Sequence, residues 1–281
     1  MPDSVPTDKI AMNARVARIG VSSLRSIFNC VVTTQKEQSK GQRVHNIRFV
    51  LPSSSHGGRR FEPLAELELH GLAEAAASTL RGATGDILLI PEMPSPLGLP
   101  DFVALAGGWE WLRSRRAVGI EPILGESECL VLAALHSKQS LAPETIARRI
   151  GWGLFELEPV LTRLERANAI RCTPRGAVTL NQALVPSGSL TALEAKVKDW
   201  QKAVLQGRTY RTWANNYVVV LGEVGAVAES RARQDVSRDG AGLYSAAGWI
   251  VHPKARNPAL AKRIRGFEYL YAAIAGSDPT F

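Results

Sequence analysis

Cysteine is scarce in this chain of 281 residues: Cys30, Cys129 and Cys172 are odd in number and widely spaced. That excludes a disulfide framework and a cysteine-based zinc site, and it points to a reducing cytoplasm. No apolar run approaches the roughly 18 residues of a membrane span, and no signal-peptide hydrophobic region opens the chain, so no membrane partner is expected. The five histidines (His45, His56, His70, His136 and His252) share no metal-ligand spacing. Gly82 to Gly85 is too short for a phosphate loop and has no following lysine, and no Gly-x-Ser-x-Gly elbow occurs. These absences exclude P-loop and serine-hydrolase chemistry.

What remains is an ordinary globular composition, 45% hydrophobic and 21% charged, with a net charge of +8 that is unevenly distributed. Residues 1–60 carry 10 Lys/Arg against 3 Asp/Glu, whereas residues 61–124 carry 4 against 9. Residues 125–180 are nearly balanced, and residues 181–281 are again basic, 13 against 8. A basic region followed by an acidic one suits a phosphate-binding surface beside a cation site.

Periodicity supplies the coarse elements. Strands are expected over 27–33, 44–51, 87–90 and 100–105, with a helix from Pro63 to Leu80. Residues 125–180 read as a self-contained unit. It has helices over 127–136, 143–150 and 154–168, then a hairpin from Ile170 to Leu180 around Pro174-Arg175-Gly176. After the linker Pro186 to Ser189 come a strand bearing Glu194, a helix over 199–213 and the apolar strand Tyr217 to Leu221. A short helix within 222–242, a strand over 248–251 and an amphipathic helix over 258–274 complete the chain.

The chemical signal is Leu193-Glu194-Ala195-Lys196-Val197. In a strand, alternate side chains share a face, so Glu194 and Lys196 point one way and their apolar neighbours the other. A carboxylate that ligates a divalent cation beside an ammonium that orients water suits phosphodiester hydrolysis.

Pro100-Asp101, Glu194-Ala195-Lys196 and the helix motif Gln206-x-x-x-Tyr210 stand in the order helix, strand, strand, strand, helix, strand. This resembles the PD-(D/E)xK nuclease superfamily over residues ~63–106 and ~190–221. The segment 125–180, with Glu144-Thr-Ile-Ala-Arg-Arg-Ile-Gly151 as its most typical piece, resembles a winged helix-turn-helix. The expected fold is therefore α/β, a restriction-endonuclease-like mixed sheet flanked by helices with an inserted winged-helix domain. Its regions are a basic 1–60, core segments 61–124 and 186–281, and an insertion over 125–185.

The resemblance implies a catalytic set of Asp101, Glu194, Lys196 and Gln206. It implies Mg2+ or Mn2+ held by Asp101, Glu194 and an acid of the first helix. Glu68 is taken ahead of Glu66 and Glu74 for that role, with Glu92 as a substitute. Arg148, Arg149, Arg171 and Arg175 of the winged unit are expected on DNA phosphates, together with Tyr210 and Arg211. The third helix of that unit (Glu156, Glu158, Arg163, Glu165, Arg166) has a net charge of −1, which keeps a protein-binding role open.

The implied function is metal-dependent DNA cleavage in restriction, repair or phage defence. The alternative is a non-catalytic winged-helix DNA-binding regulator on a nuclease-like scaffold. DNA is the expected partner, with homodimerisation as an added option.

Overall fold

In a computed structural model, residues 44–52, 69–136 and 139–276 of the 281 are described. They build an α/β fold around one mixed seven-stranded sheet flanked by helices. The strands are β1 (Ile47–Phe49), β2 (Ile87–Pro91), β3 (Phe102–Ala106), β6 (Ser189–Lys196), β7 (Asn216–Leu221), β8 (Gly242–Ser245) and β9 (Gly248–Val251), and they lie side by side in that order. The pairs β1–β2, β6–β7 and β7–β8 are parallel, and the pairs β2–β3, β3–β6 and β8–β9 are antiparallel.

The central strands are apolar on both sides (Ile87-Leu-Leu-Ile90, Tyr217-Val-Val-Val-Leu221), as a sheet covered on both faces requires. One face carries Leu89, Leu193, Ala195 and Val220 against the alanine-rich helix α1 (His70–Ser78). The opposite face carries Leu88, Ala192, Val219 and Leu221. It packs on α6 (Trp200–Tyr210), α7 (Ala226–Asp239) and α8 (Leu260–Ile274).

Between β3 and β6 the chain forms α2 (Trp109–Ala117), α3 (Glu126–Ala134), α4 (Pro143–Ile150) and α5 (Leu154–Arg166), then the hairpin β4 (Ile170–Cys172)–β5 (Val178–Leu180). Pro143 opens α4 and Gly151 ends it in the left-handed region, so residue chemistry sets both boundaries. The three helices and hairpin occur where the sequence places them. The segment is not self-contained, however. Its core of Val131, Leu132, Leu157 and Leu164 is completed by Ile264 of α8, with Leu260 packed against it. All described residues belong to one compact unit.

Three further differences have local causes. Helix α2 has no expectation in the sequence because Trp-Glu-Trp-Leu-Arg-Ser-Arg-Arg carries too much charge for an apolar stripe. Strand β8 is four residues long and glycine-led, and α7 runs 14 residues where a short helix is expected. The strand expected over 27–33, and the first part of the helix expected from Pro63, lie outside the described residues. Among the described residues no helix is long and apolar enough to cross a membrane.

Candidate active site

The site forms at the C-terminal end of β6. Phe102 pairs with Leu193, so continuing the antiparallel register by one residue sets Asp101 opposite Glu194. Asp101 Oδ2 accepts the Ala195 N–H at 2.7 Å, which fixes its carboxylate against the strand. The Lys196 ammonium lies 3.1 Å from Glu194 Oε1 and 3.8 Å from Asp101 Oδ2, and it donates to the Ala195 carbonyl at 2.9 Å. Three oxygen groups of the same neighbourhood thus surround one cation.

Helix α6 supplies the roof. It follows β6 after a three-residue connection and runs back along the strand, so its later turns lie over the strand's middle. Gly207 allows the close approach, because a Cβ there would overlap the Tyr217 ring on β7. One turn on, the Tyr210 hydroxyl donates to Glu194 Oε2 at 2.9 Å. Tyr210 is in turn covered by the turn after β2. Gly98, with φ +84°, passes so close that a Cβ would stand 2.8 Å from the ring. Trp213 Nε1 also reaches the Leu97 carbonyl at 3.4 Å.

The result is a dry cluster. Glu194 is 1% exposed, Lys196 4% and Asp101 6%, with Tyr210 also buried. Glu194 and Lys196 share a face as the two-residue period demands, but that face is covered by helices. Burial pushes the Glu194 carboxyl above its usual range, and the adjacent Asp101 adds to the rise; Lys196 and the Tyr210 hydroxyl pull the other way. A pair of carboxylates under one cation raises a pKa in this way when the charged form loses its water.

Gln206 stands four residues before Tyr210, hence one turn away on the same helix face and nearer the Lys196 end of β6. Its Oε1 is buried with no hydrogen-bond partner among the described residues.

The remaining expected residues scatter. Arg211 acts electrostatically on Asp239 and Tyr217, where Arg208 Nε and the Tyr217 hydroxyl bond Asp239 Oδ2 at 2.8 and 2.5 Å. Glu74 is half-buried on α1, beyond the opposite sheet face, with its carboxyl raised by burial and lowered by His70. Glu92 takes a left-handed backbone (φ 43°), and its N–H bonds the Asp101 carbonyl at 2.9 Å. Glu66 and Glu68 lie outside the described residues.

In the inserted segment Arg148, Arg171 and Arg175 are exposed. Arg149 is exposed too, but its guanidinium donates to the Ala134 carbonyl at 2.8 Å and so caps the end of α3. The outward side of α5 carries Phe155, 89% exposed, beside Leu154, Glu156 and Glu158.

A divalent cation is compatible with the donor chemistry. Asp101, Glu194 and the Ala195 carbonyl are all hard oxygen donors, and magnesium accepts one or two carboxylates with waters filling the remaining positions. Among the described residues no group of three His, Cys, Asp or Glu side chains is placed to hold a metal. Asp101 and Glu194 are side-chain oxygen donors at this place among the described residues.

A second buried ion pair went unread in the sequence. Arg115 on α2 and Glu268 on α8 are 0% and 1% exposed. Arg115 Nε and Nη2 bond Glu268 Oε1 and Oε2 at 2.9 and 2.8 Å. Nothing in the Arg-rich run 113–116 distinguishes Arg115 from its neighbours. No family model matches the chain, and no curated protein and no solved structure matches it.

Proposed function

We propose that the chain is a divalent-cation-dependent nuclease that hydrolyses phosphodiester bonds of DNA. The observation that carries this is the convergence of Asp101, Glu194 and Lys196, brought from 93 residues apart into one buried oxygen cage around an ammonium. The order β2, β3, β6, β7 in the sheet supports it. Its antiparallel, antiparallel and parallel pairings, with α1 before and α6 between the last two strands, agree with the nuclease-like core that the sequence resembles. The three helices and hairpin of the inserted segment agree likewise with a winged unit that contacts DNA through Arg148, Arg171 and Arg175.

In this proposal Asp101, Glu194 and the Ala195 carbonyl hold Mg2+ or Mn2+, which when bound neutralises phosphate charge and acidifies water. Lys196 then has a different task from its role as internal counter-ion. Its ammonium, held within 3.8 Å of both carboxylates, donates a hydrogen bond to the attacking water or to a phosphate oxygen. Tyr210 is a positioning residue: its hydroxyl fixes the orientation of Glu194 and favours the ionised form. Gln206 offers its Oε1, which has no hydrogen-bond partner among the described residues, to a water proton at the same end of the strand.

The burial of the cluster favours one competing account, a scaffold whose ionic core no longer turns over and whose winged unit binds DNA. Incubation of plasmid and linear DNA with magnesium, manganese or EDTA, beside the Lys196→Ala variant, separates the two. Metal-dependent cutting that the variant lacks is expected. Intact DNA in every lane, with binding retained, would leave only the scaffold account.

A further inference from the structure

A cavity of about 460 Å3 opens between the starts of α6 and α7. Its size lies within the roughly 300–1,000 Å3 of small-molecule sites. Trp200, Ala226, Val227 and Ala228 give it an apolar wall, and Gln201 and Arg231 stand with them in its lining. Its position in the fold is specific. Trp200 is four residues beyond Lys196, at most about 14 Å of extended chain. Ala226 follows β7, whose Leu221 pairs with Lys196. The Gly222 N–H bonds the Lys196 carbonyl at 3.1 Å, tying the second connection to the first. The cavity therefore opens at the C-terminal edge of two neighbouring parallel strands, the same edge as the candidate active site, where open α/β sheets receive ligands.

The lining has three chemical parts. An indole with small aliphatic neighbours suits a flat aromatic ring. The exposed Gln201 carboxamide presents both donors and an acceptor, as the edge of a base requires. The exposed Arg231 guanidinium suits a phosphate, and exposed Lys198 and Lys202 add positive charge nearby. The Asp199 carboxylate is engaged, accepting the Lys202 N–H at 3.2 Å, whereas the α7 start at Gly225 has no side-chain cap.

We infer that this cavity binds one nucleotide of the substrate strand, with its base against the apolar wall of Ala226, Val227 and the 7% exposed Trp200, and its phosphate toward Arg231. The inference rests on the nuclease proposal and narrows it to strands whose nucleotide next to the cut is unstacked, as at a single strand or a frayed end.

The test is calorimetric titration of thymidine 5′-monophosphate, deoxyadenosine 5′-monophosphate and a 5′-phosphorylated hexathymidylate in EDTA. Wild type, Val227→Trp and Arg231→Glu are compared. Val227 is 68% exposed, so a larger side chain there fills the cavity without entering the core. Wild type is expected to bind the hexathymidylate. Val227→Trp and Arg231→Glu are expected to bind at least tenfold more weakly with unchanged circular dichroism and melting. Hexathymidylate binding without mononucleotide binding assigns the cavity to a strand, and binding of both assigns it to a free nucleotide as well. Equal affinity in wild type and Val227→Trp, or no binding of any probe, overturns the inference. Nucleotide binding without DNA cleavage would retain the cavity and refute the nuclease proposal; cleavage with an unaltered KM in Val227→Trp would do the reverse.

Discussion

Among the described residues two ionic clusters are buried, and they differ in composition. At Arg115–Glu268 one guanidinium meets one carboxylate through two parallel hydrogen bonds. The remaining valences are also met. Arg115 donates to the Ile120 and Glu121 carbonyls at 2.5 and 2.9 Å, Glu268 Oε2 accepts the Ile123 N–H at 2.8 Å, and the guanidinium lies 4.2 Å from the Tyr271 ring centre. At Asp101–Glu194–Lys196 two carboxylates lie within 3.8 Å of one ammonium, and burial first, then the charge of Asp101, raises the Glu194 pKa. The first cluster is balanced and serves to anchor the 118–125 connection to α8. The second crowds two carboxylates against one ammonium away from water, the setting in which pKa values are shifted.

The comparison breaks most visibly when one partner of the balanced pair is removed. Arg115→Ala leaves Glu268 buried without its counter-ion, at a cost of about 3–5 kcal/mol. Urea unfolding should show the loss, and a shift within experimental error would mean that the pair is dispensable. In the Asp101–Glu194–Lys196 cluster the effect should fall on activity. Lys196→Met is expected to lower kcat by roughly a hundredfold to a thousandfold, the scale of a lost electrostatic donor. Single-turnover cleavage measures it, and wild-type rates would remove Lys196 from the chemistry.

Tyr210→Phe deletes one hydroxyl and should lower kcat by about tenfold, in line with about 1.5 kcal/mol for a hydrogen bond to a charged group. Because that hydroxyl favours ionised Glu194, the variant should also move the acidic limb of the pH–rate profile upward. An unmoved limb would show that Tyr210 merely fills space.

The pH dependence of stability separates the clusters further. The carboxyl of Glu194 is raised in the folded state, so the stability it contributes is complete below the ordinary glutamate range. That contribution declines as pH rises through the folded value. Thermal melts of wild type and Glu194→Gln from pH 4 to 8 should converge in acid and part as pH rises, the variant losing less. Smallest of all is the exposed contact of Arg163 with Glu128, 2.8 Å long, whose removal in Arg163→Ala should change unfolding free energy by under about 1 kcal/mol.

The sequence was legible where chemistry is local. The two-residue period joined Glu194 to Lys196, and Pro143, Gly151 and the Pro174-Arg175-Gly176 turn set element ends in the inserted segment. Pro100-Asp101 with Glu194-x-Lys196 brought together residues that the sheet register does place side by side. It was silent where meaning comes from distant partners. Arg115 reads as one of three neighbouring arginines until Glu268, 153 residues on, arrives beside it. Burial of the Glu194–Lys196 face was also hidden, since only the packing of α6 and the Gly98 turn shows that this strand face is not solvated.

Helix α8 lies in both hydrophobic cores, with Phe267 and Leu270 in that of the sheet and Ile264 in that of the inserted helices. A ribosome delivers residues 87–221 well before residues 260–274, and domain folding on the ribosome proceeds in the order of emergence. Until α8 emerges, the nascent chain has two open cores and an unpaired Arg115. Closure of both is then one late event of high sequence separation, the kind that slows folding. Nascent chains of this protein should therefore expose apolar surface of both these cores until translation passes residue 274.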